Sequence, residues 1–204
     1  MLKNIILASK SVDRSKLFKY AKIPIDIFSP DIDEEDFKKK IRDPIKLVKE
    51  LAKAKALYTK TILSENKRDA FIIAADTIIE FNGEVIGKAK SERKALQILK
   101  KLTGNVHNLL TGIAITRSID PKIVVDYEST VVKFLKLSDK EIRCYLKSGD
   151  WKGRAGAYAI TEKASLFIEY IQGSFSNVIG LPMHKIYLIL KNHFNLNLLE
   201  ITEI

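Results

Sequence analysis

An α/β protein with a mixed sheet is the fold class this sequence predicts, and three observations predict it. Apolar runs of strand length alternate with stretches whose apolar residues recur at helical spacing. The two kinds interleave along the chain without an internal repeat. No Gly-, Pro- or Ser-rich tract sets off an arm or linker, and 46% of the 204 residues are hydrophobic, so the chain reads as one folded domain or two small lobes sharing a sheet.

The elements follow in order. "KNIILAS", from Lys3, is a short buried strand, and "SVDRSKLFKYA" is a helix with Ser11 as N-cap and Leu17, Phe18 and Ala21 on one side. "IPIDIFSP" alternates like a strand, and "DIDEEDFKKKIRDP" reads as a charged connection. From Asp43 to about Ser64 the apolar positions Ile45, Val48, Leu51, Ala52, Leu57 and Ile62 recur at helical intervals, and Pro44 suits a first helical position. "FIIAADTIIEF" is an apolar strand turning at "FNGE", and "SERKALQILKKLTG" is a helix capped by Ser91 and stopped by Gly104. "HNLLTGIAITRS" and "KIVVDYESTVVKFLKL" are two strands joined at "IDP", followed by the helix "SDKEIRCYLKSG" with Gly149 as its stop. "GAYAIT" and "SLFIEYIQG" are further strands, and "LPMHKIYLILKNHF" is the last helix, with Pro182 near its start.

Composition narrows the function classes. Lys+Arg number 35 against 25 Asp+Glu, a formal charge of +10, which suits anionic partners such as nucleic acid or phosphorylated small molecules. The lysines are spread at solvent spacing over several helices, so a dedicated nucleic-acid surface is the weaker reading. A single cysteine, Cys144, excludes an internal disulfide and fits a reducing compartment. The apolar patch near the start is too short for a signal sequence and no 18-residue apolar run follows, so the expectation is a cytoplasmic protein with no membrane partner.

Standard motifs fail. There is no GxSxG. "GEVIGKA" at 83–89 has only three residues between its glycines and Ala89 where a Walker site needs Ser or Thr. "GRAG" is too short for a dinucleotide fingerprint, and His107, His184 and His193 lack metal-ligand spacing. What remains is a set of polar groups at element ends. "ASKSVDR" offers Ser9, Ser11, backbone N–H groups and Arg14 at a helix start, which can cradle an anion or simply cap the helix. "DIDEEDF" supplies Asp33, Glu34 and Glu35, which can serve a helix dipole or a metal. Asp76 interrupts an apolar strand, where a carboxylate needs a cation, a metal or several donors. Lys88 lies beyond the following turn, and Lys55 reads, with no fold assumed, as one of many exposed helix lysines. Together these groups suit metal-assisted phosphate chemistry better than acyl or hydride transfer.

Eight segments in the same order resemble the Maf family, septum-formation-inhibitor-related nucleotide pyrophosphatases that share an architecture with inosine triphosphate pyrophosphatases. "LASKSVDR" is similar to LASxSPRR, "DIDE" to the acidic segment, "LAKAKA" to LAxxKA, "AADTII" to the ADT strand and "GEVIGKA" to GxxxxKP. "LTGNVHNLLTG" is similar to LSGxxHxVxTG, "YLKSGDWKGRAGAYAI" to GExxxKAGxYxIQ, and "GSFSNVIGLP" to GSYxxVVGLP. The resemblance implies a curved mixed sheet in two lobes around a central cleft over residues 1–204, with hydrolysis of a nucleoside triphosphate to the monophosphate and pyrophosphate. It implies house-cleaning of non-standard or surplus nucleotides, a divalent metal ion (magnesium first, manganese second) and a homodimer.

By position, the resemblance makes Asp76 the proton acceptor and, with Glu34, a metal ligand. It assigns Lys55 and Lys88 to catalysis and Ser9, Ser11 and Arg14 to the phosphates. Asp13 and Thr161 depart from the arginine and glutamine that, with Thr77, are associated in the family with choosing the base. Thr77 agrees with the subgroup acting on dTTP and UTP, while Asp13 and Thr161 agree neither with it nor with the subgroup acting on 7-methyl-GTP. The competing readings are a nucleic-acid-binding or division-regulating protein with a degenerate pocket, and a metal-dependent phosphatase.

Overall fold

A computed structural model of the chain describes residues 4–201. The strands are β1 (Ile5–Ala8), β2 (Asp26–Phe28), β3 (Phe71–Phe81), β4 (Glu84–Ile86), β5 (Val106–Arg117), β6 (Ile123–Phe134) and β7 (Ile168–Gln172). The helices are α1 (Val12–Tyr20), α2 (Glu34–Lys40), α3 (Pro44–Glu65), α4 (Glu92–Leu102), α5 (Asp139–Leu146), α6 (Phe175–Ile179) and α7 (Met183–Phe194). The seven strands form one open, mixed sheet in the order β2-β1-β3-β5-β6-β7, with β4 paired to β3 off that path. β1 runs parallel to both β2 and β3, whereas β3–β4 and β6–β7 are antiparallel. The mixed α/β class expected from the interleaved pattern is therefore what forms.

Most helix ends obey their caps. Ser11, Asp43, Ser91 and Ser138 each accept a backbone N–H at the start of α1, α3, α4 and α5, and Ser138 with Glu141 completes a capping box. Three expectations are corrected. The "charged connection" at 31–44 contains α2: Asp33 Oδ1 accepts from the N–H groups of Glu35 and Asp36, and the Lys38–Glu35 and Lys40–Asp36 pairs at 2.9 and 2.7 Å line its outer face. None of its residues is buried, so it leaves no apolar period to read. "GAYAIT" is not a strand, because Gly156 and Ala157 take φ values of +67° and +60° and turn the chain. Leu57 is exposed, whereas Lys55 lies on the buried stripe of α3 with Leu51, Thr59 and Leu63. The "FNGE" turn is a hairpin into β4, with Asn82 and Gly83 both at positive φ as a type I′ turn requires. Of the first expected strand, Lys3 lies outside the described residues.

The chain divides into two compact units, one made of residues up to 76, 111–128 and from 180 onward, the other of 77–110 and 129–179. In the first unit, strand alternation sorts β1 and β3 onto two faces. Ile5, Leu7, Phe71, Ile73 and Ala75 pack with Phe18 of α1 and Ile186, Ile189 and Leu190 of α7. Ile6, Ala8, Ile72 and Ala74 face the other way, against Ala52 and Ala56 of α3 and Ala114 of β5. Alanines predominate at this second interface. At Gly112 of β5 an added Cβ would lie 2.1 Å from the Val48 carbonyl oxygen, so the backbone of α3 rests directly on the strand. Asp76 is the next residue of the Ile72–Ala74 row, and the alternation aims it at the helix-covered face.

The second unit has its own core, in which α4 and α5 pack through Ala95, Ile98, Leu99, Leu102, Ile142 and Leu146. Phe134, Tyr145, Tyr158, Phe167 and His107 form a set of edge-to-face rings with centroids 4.9–5.6 Å apart. His107 Nε2 meets the Tyr158 hydroxyl at 3.0 Å, and burial pushes the imidazole down from 6.5 to about 4. Because the unfolded chain takes up this proton near pH 6.5 and the folded one only near 4, the contribution of this imidazole to stability is constant well above 6.5. It falls as the pH drops from there toward 4, by about 3 kcal/mol over the window. Urea midpoints at pH 7 and 4.5 measure this, and His107→Gln is expected to show a smaller difference between the two.

Candidate active site

The first polar cluster grows from the end of β1. Because Ser9 and Ser11 follow a fully buried strand and precede α1, their hydroxyls serve the helix start. Ser9 Oγ accepts from the Ser11 N–H at 3.2 Å, and Ser11 Oγ accepts from the Arg14 N–H at 3.4 Å. Arg14, only 8% exposed, turns inward from the first turn of α1. Its Nη1 donates to Ser9 Oγ at 3.0 Å and to the Ala75 carbonyl at 2.9 Å, and its Nε donates to the Gly180 carbonyl at 2.7 Å. These bonds tie the loop to the residue before Asp76 and to the "GLP" segment. Burial pulls the guanidinium down from its ordinary range, while Asp76, Glu34 and Asp13, in that order, push it up. Asp13 occupies the first turn of α1, where a carboxylate favours the helix dipole, and Lys16 Nζ lies 4.0 Å from its Oδ1.

The second cluster answers what meets Asp76 in its apolar strand. Lys55 projects from the buried stripe of α3 onto the face where Asp76 ends its row. Its Nζ donates to Asp76 Oδ1 at 2.6 Å, and both residues are 8% exposed. The same Nζ lies 2.7 Å from Glu34 Oε1, which arrives from the first residue of α2 with its side chain 36% exposed. One ammonium thus holds two carboxylates from separate elements, leaving the trio with one negative charge. A buried ion pair needs such added partners to offset the loss of hydration. The α2 first turn also positions Glu34, since Asp33 caps that turn.

These six residues, Ser9, Ser11, Arg14, Glu34, Lys55 and Asp76, are the ones the structure brings together in the first unit, with Asp13 beside them. Thr77, Lys88 and Thr161 belong to the second unit. There Thr77 is half-buried beside Asp76 on β3, and Lys88 is exposed and forms an isolated antiparallel bridge with Ala155. Thr161 is exposed in the turns after Tyr158. Two partners escaped the sequence reading: the carbonyls of Ala75 and Gly180, which hold Arg14. Backbone acceptors carry no signature, and Gly180 lies 166 residues from Arg14.

The donor set fits a hard divalent cation. Two carboxylate oxygens from different elements already converge on one cationic group, which is the number of protein ligands magnesium commonly takes when phosphates and water complete its shell. Among the described residues no group of three or more His, Cys, Asp or Glu side chains is placed to form an all-protein cage. No helix among them is long and apolar enough to cross a membrane.

Comparison with known proteins follows the same line. The profile of the Maf-like proteins matches residues 4–193. A protein of Alkaliphilus oremlandii named dTTP/UTP pyrophosphatase is 41% identical over 198 residues, covering 97% of this chain and 100% of the relative. Proteins of the same name from Clostridium tetani and Caldanaerobacter subterraneus are each 41% identical over 191 residues, covering 92% and 93% of this chain and 96% and 89% of theirs. With a family profile and near full-length relatives agreeing, the chain belongs to the Maf-like family.

Proposed function

We propose that this protein is a nucleoside triphosphate pyrophosphatase, hydrolysing a nucleoside triphosphate to the monophosphate and pyrophosphate, with dTTP and UTP as its first substrates. The observation that carries the chemistry is the buried Asp76 carboxylate sharing the Lys55 ammonium with Glu34. Relatives bearing the dTTP/UTP name over nearly the full chain support the reaction class and the choice of base. The role is removal of surplus or non-standard nucleotides in the cytoplasm, by a homodimer.

In this reading Asp76 accepts the proton of a water molecule attacking the α-phosphorus. The new bond joins the water oxygen to that phosphorus, and the bond to the bridging oxygen breaks, its electron pair leaving with pyrophosphate. Glu34 and Asp76 would hold a divalent ion, magnesium before manganese, which when bound supplies neutralising charge for phosphate oxygens. Lys55, on a flexible stem that starts at a fixed helix position, neutralises charge gathering on the phosphates. Ser9 and Ser11 supply hydroxyls at the start of α1 to the same anion, and Arg14 holds their loop against β3 while adding positive charge. The roles of Thr77, Lys88 and Thr161 rest on the family resemblance alone: Lys88 in neutralising phosphate charge, Thr77 and Thr161 in choosing the base. Asp13 replaces a cation at the loop and so reduces its attraction for phosphate.

The test is pyrophosphate release, with magnesium, from a panel of triphosphates that includes 5-methylated and 7-methylated bases. Release of pyrophosphate from dTTP and UTP ahead of the rest is the expected result. Orthophosphate as the product would make the protein a phosphatase, and no release combined with salt-dependent DNA retardation would make it a nucleic-acid binder. Sedimentation at micromolar concentration tests the dimer.

A further inference from the structure

We propose that the Lys55 ammonium is a resident counter-cation that a divalent ion must displace from Glu34 and Asp76, and that the triphosphate gives the displaced ammonium its new partner. Metal and nucleotide then bind cooperatively, each weakly without the other. This rests on the proposed reading of Glu34 and Asp76 as metal ligands.

The geometry leads there directly. Glu34 Oε1 and Asp76 Oδ1 both accept from Lys55 Nζ, at 2.7 and 2.6 Å, so the ammonium stands where an ion shared by these two oxygens would bind. Two cations within hydrogen-bond distance of the same oxygens repel strongly where water screens poorly, and the side chains of Lys55 and Asp76 are only 10% and 11% exposed. Arg14, itself buried and under the influence of the Asp76 and Glu34 charges, adds to the positive field. Its guanidinium is fixed by carbonyls of Ala75 and Gly180. The Lys55 ammonium, by contrast, is held by two carboxylates at the end of a four-carbon stem with rotatable bonds, so it can change partners with α3 unmoved.

A triphosphate changes the balance. Its oxygens can take the ammonium released by the carboxylates, so the charge removed from one set of anions is satisfied by another. Binding of either ligand thus relieves a cost that the other would otherwise bear, and the coupling is reciprocal by linkage. The ammonium also keeps Glu34 on its exposed helix drawn toward Asp76 when no metal is bound, so the pair of ligands is assembled in advance.

The experiment is Mn2+ titration, followed by the paramagnetic signal of the free ion, on the full chain and on Lys55→Met and Lys55→Gln. Each is measured with and without a triphosphate whose α–β bridging oxygen is replaced by methylene, and thermal melts verify folding. Without nucleotide, both variants are expected to bind Mn2+ about tenfold more tightly than the parent, and the gain in Mn2+ affinity on adding the analogue is expected to shrink. Unchanged or weaker Mn2+ binding in a folded variant without nucleotide overturns the proposal. The parent protein alone supplies a second readout: with lysine labelled at the ε carbon, the Lys55 resonance must move when magnesium and analogue are added together, and a stationary resonance also overturns it. Normal pyrophosphate release in the parent, with Mn2+ affinity unaltered in the variants, sinks the displacement while sparing the proposed activity. Failure of release in the parent sinks the activity itself.

Discussion

Asp76→Asn is expected to lower pyrophosphate release from dTTP or UTP by about 10²–10⁴-fold, because the amide can neither accept the proton of the attacking water nor offer an anionic oxygen to a metal. The loss belongs in kcat. Removing a partner from a buried ion pair outright costs about 3–5 kcal/mol of stability. Here Glu34 remains on the same ammonium, and the near-isosteric amide still accepts a hydrogen bond from Lys55, so the cost falls below that range. Folded protein without turnover, verified by a thermal melt beside the rate measurement, is the signature. Near-full turnover in this variant would remove Asp76 as proton acceptor and leave the buried carboxylate as a structural partner of Lys55.

Gly112→Ala carries the second large effect, this time on the fold. A Cβ there would lie 2.1 Å from the Val48 carbonyl oxygen, 2.3 Å from its carbon and 2.7 Å from the Lys49 nitrogen. All three are backbone atoms in the second turn of α3, so no rotamer change can relieve the clash, and the helix must move off the sheet. Overpacking of this kind costs about 3 kcal/mol, which in a chain of this size lowers Tm by roughly 6–12 °C. The displaced helix also carries Lys55, seven residues and about two turns along. Activity measured well below the melting temperature is therefore expected to fall as well. A melt unchanged within a degree would mean that α3 does not rest on β5 as described.

The sequence made the helices legible where a cap and an apolar stripe coincide. Ser11, Asp43, Ser91 and Ser138 mark starts that the structure keeps, and the alternating β1 and β3 register follows from continuous apolar runs of strand length. Where one signal was missing, the reading failed for a physical reason. α2 buries nothing, so periodicity had no purchase on it, although Asp33 and the order of acids before lysines were both on view. "GAYAIT" has strand composition, but two successive positive φ values are a property of its turn and of the ring cluster that receives Tyr158. For the site, Asp76 announced itself by its apolar surroundings. Lys55 was harder: its neighbours Leu51, Thr59 and Leu63 put it on a buried stripe, yet a lysine is expected in solvent until a carboxylate from another element is known to face it. The carbonyls that hold Arg14 come from distant segments and could be found only by folding the chain.

The two carboxylates that meet Lys55 are carried by elements of very different robustness. Asp76 belongs to an interior strand, whereas Glu34 belongs to a seven-residue helix with no buried residue, whose own ion pairs lie in water. Such attractions fade within a Debye length, about 8 Å at physiological ionic strength and about 3 Å in molar salt. Concentrated electrolyte therefore loosens one jaw of the clamp while the other stays rigid, and the amides of residues 34–40 exchange with solvent long before those of β3.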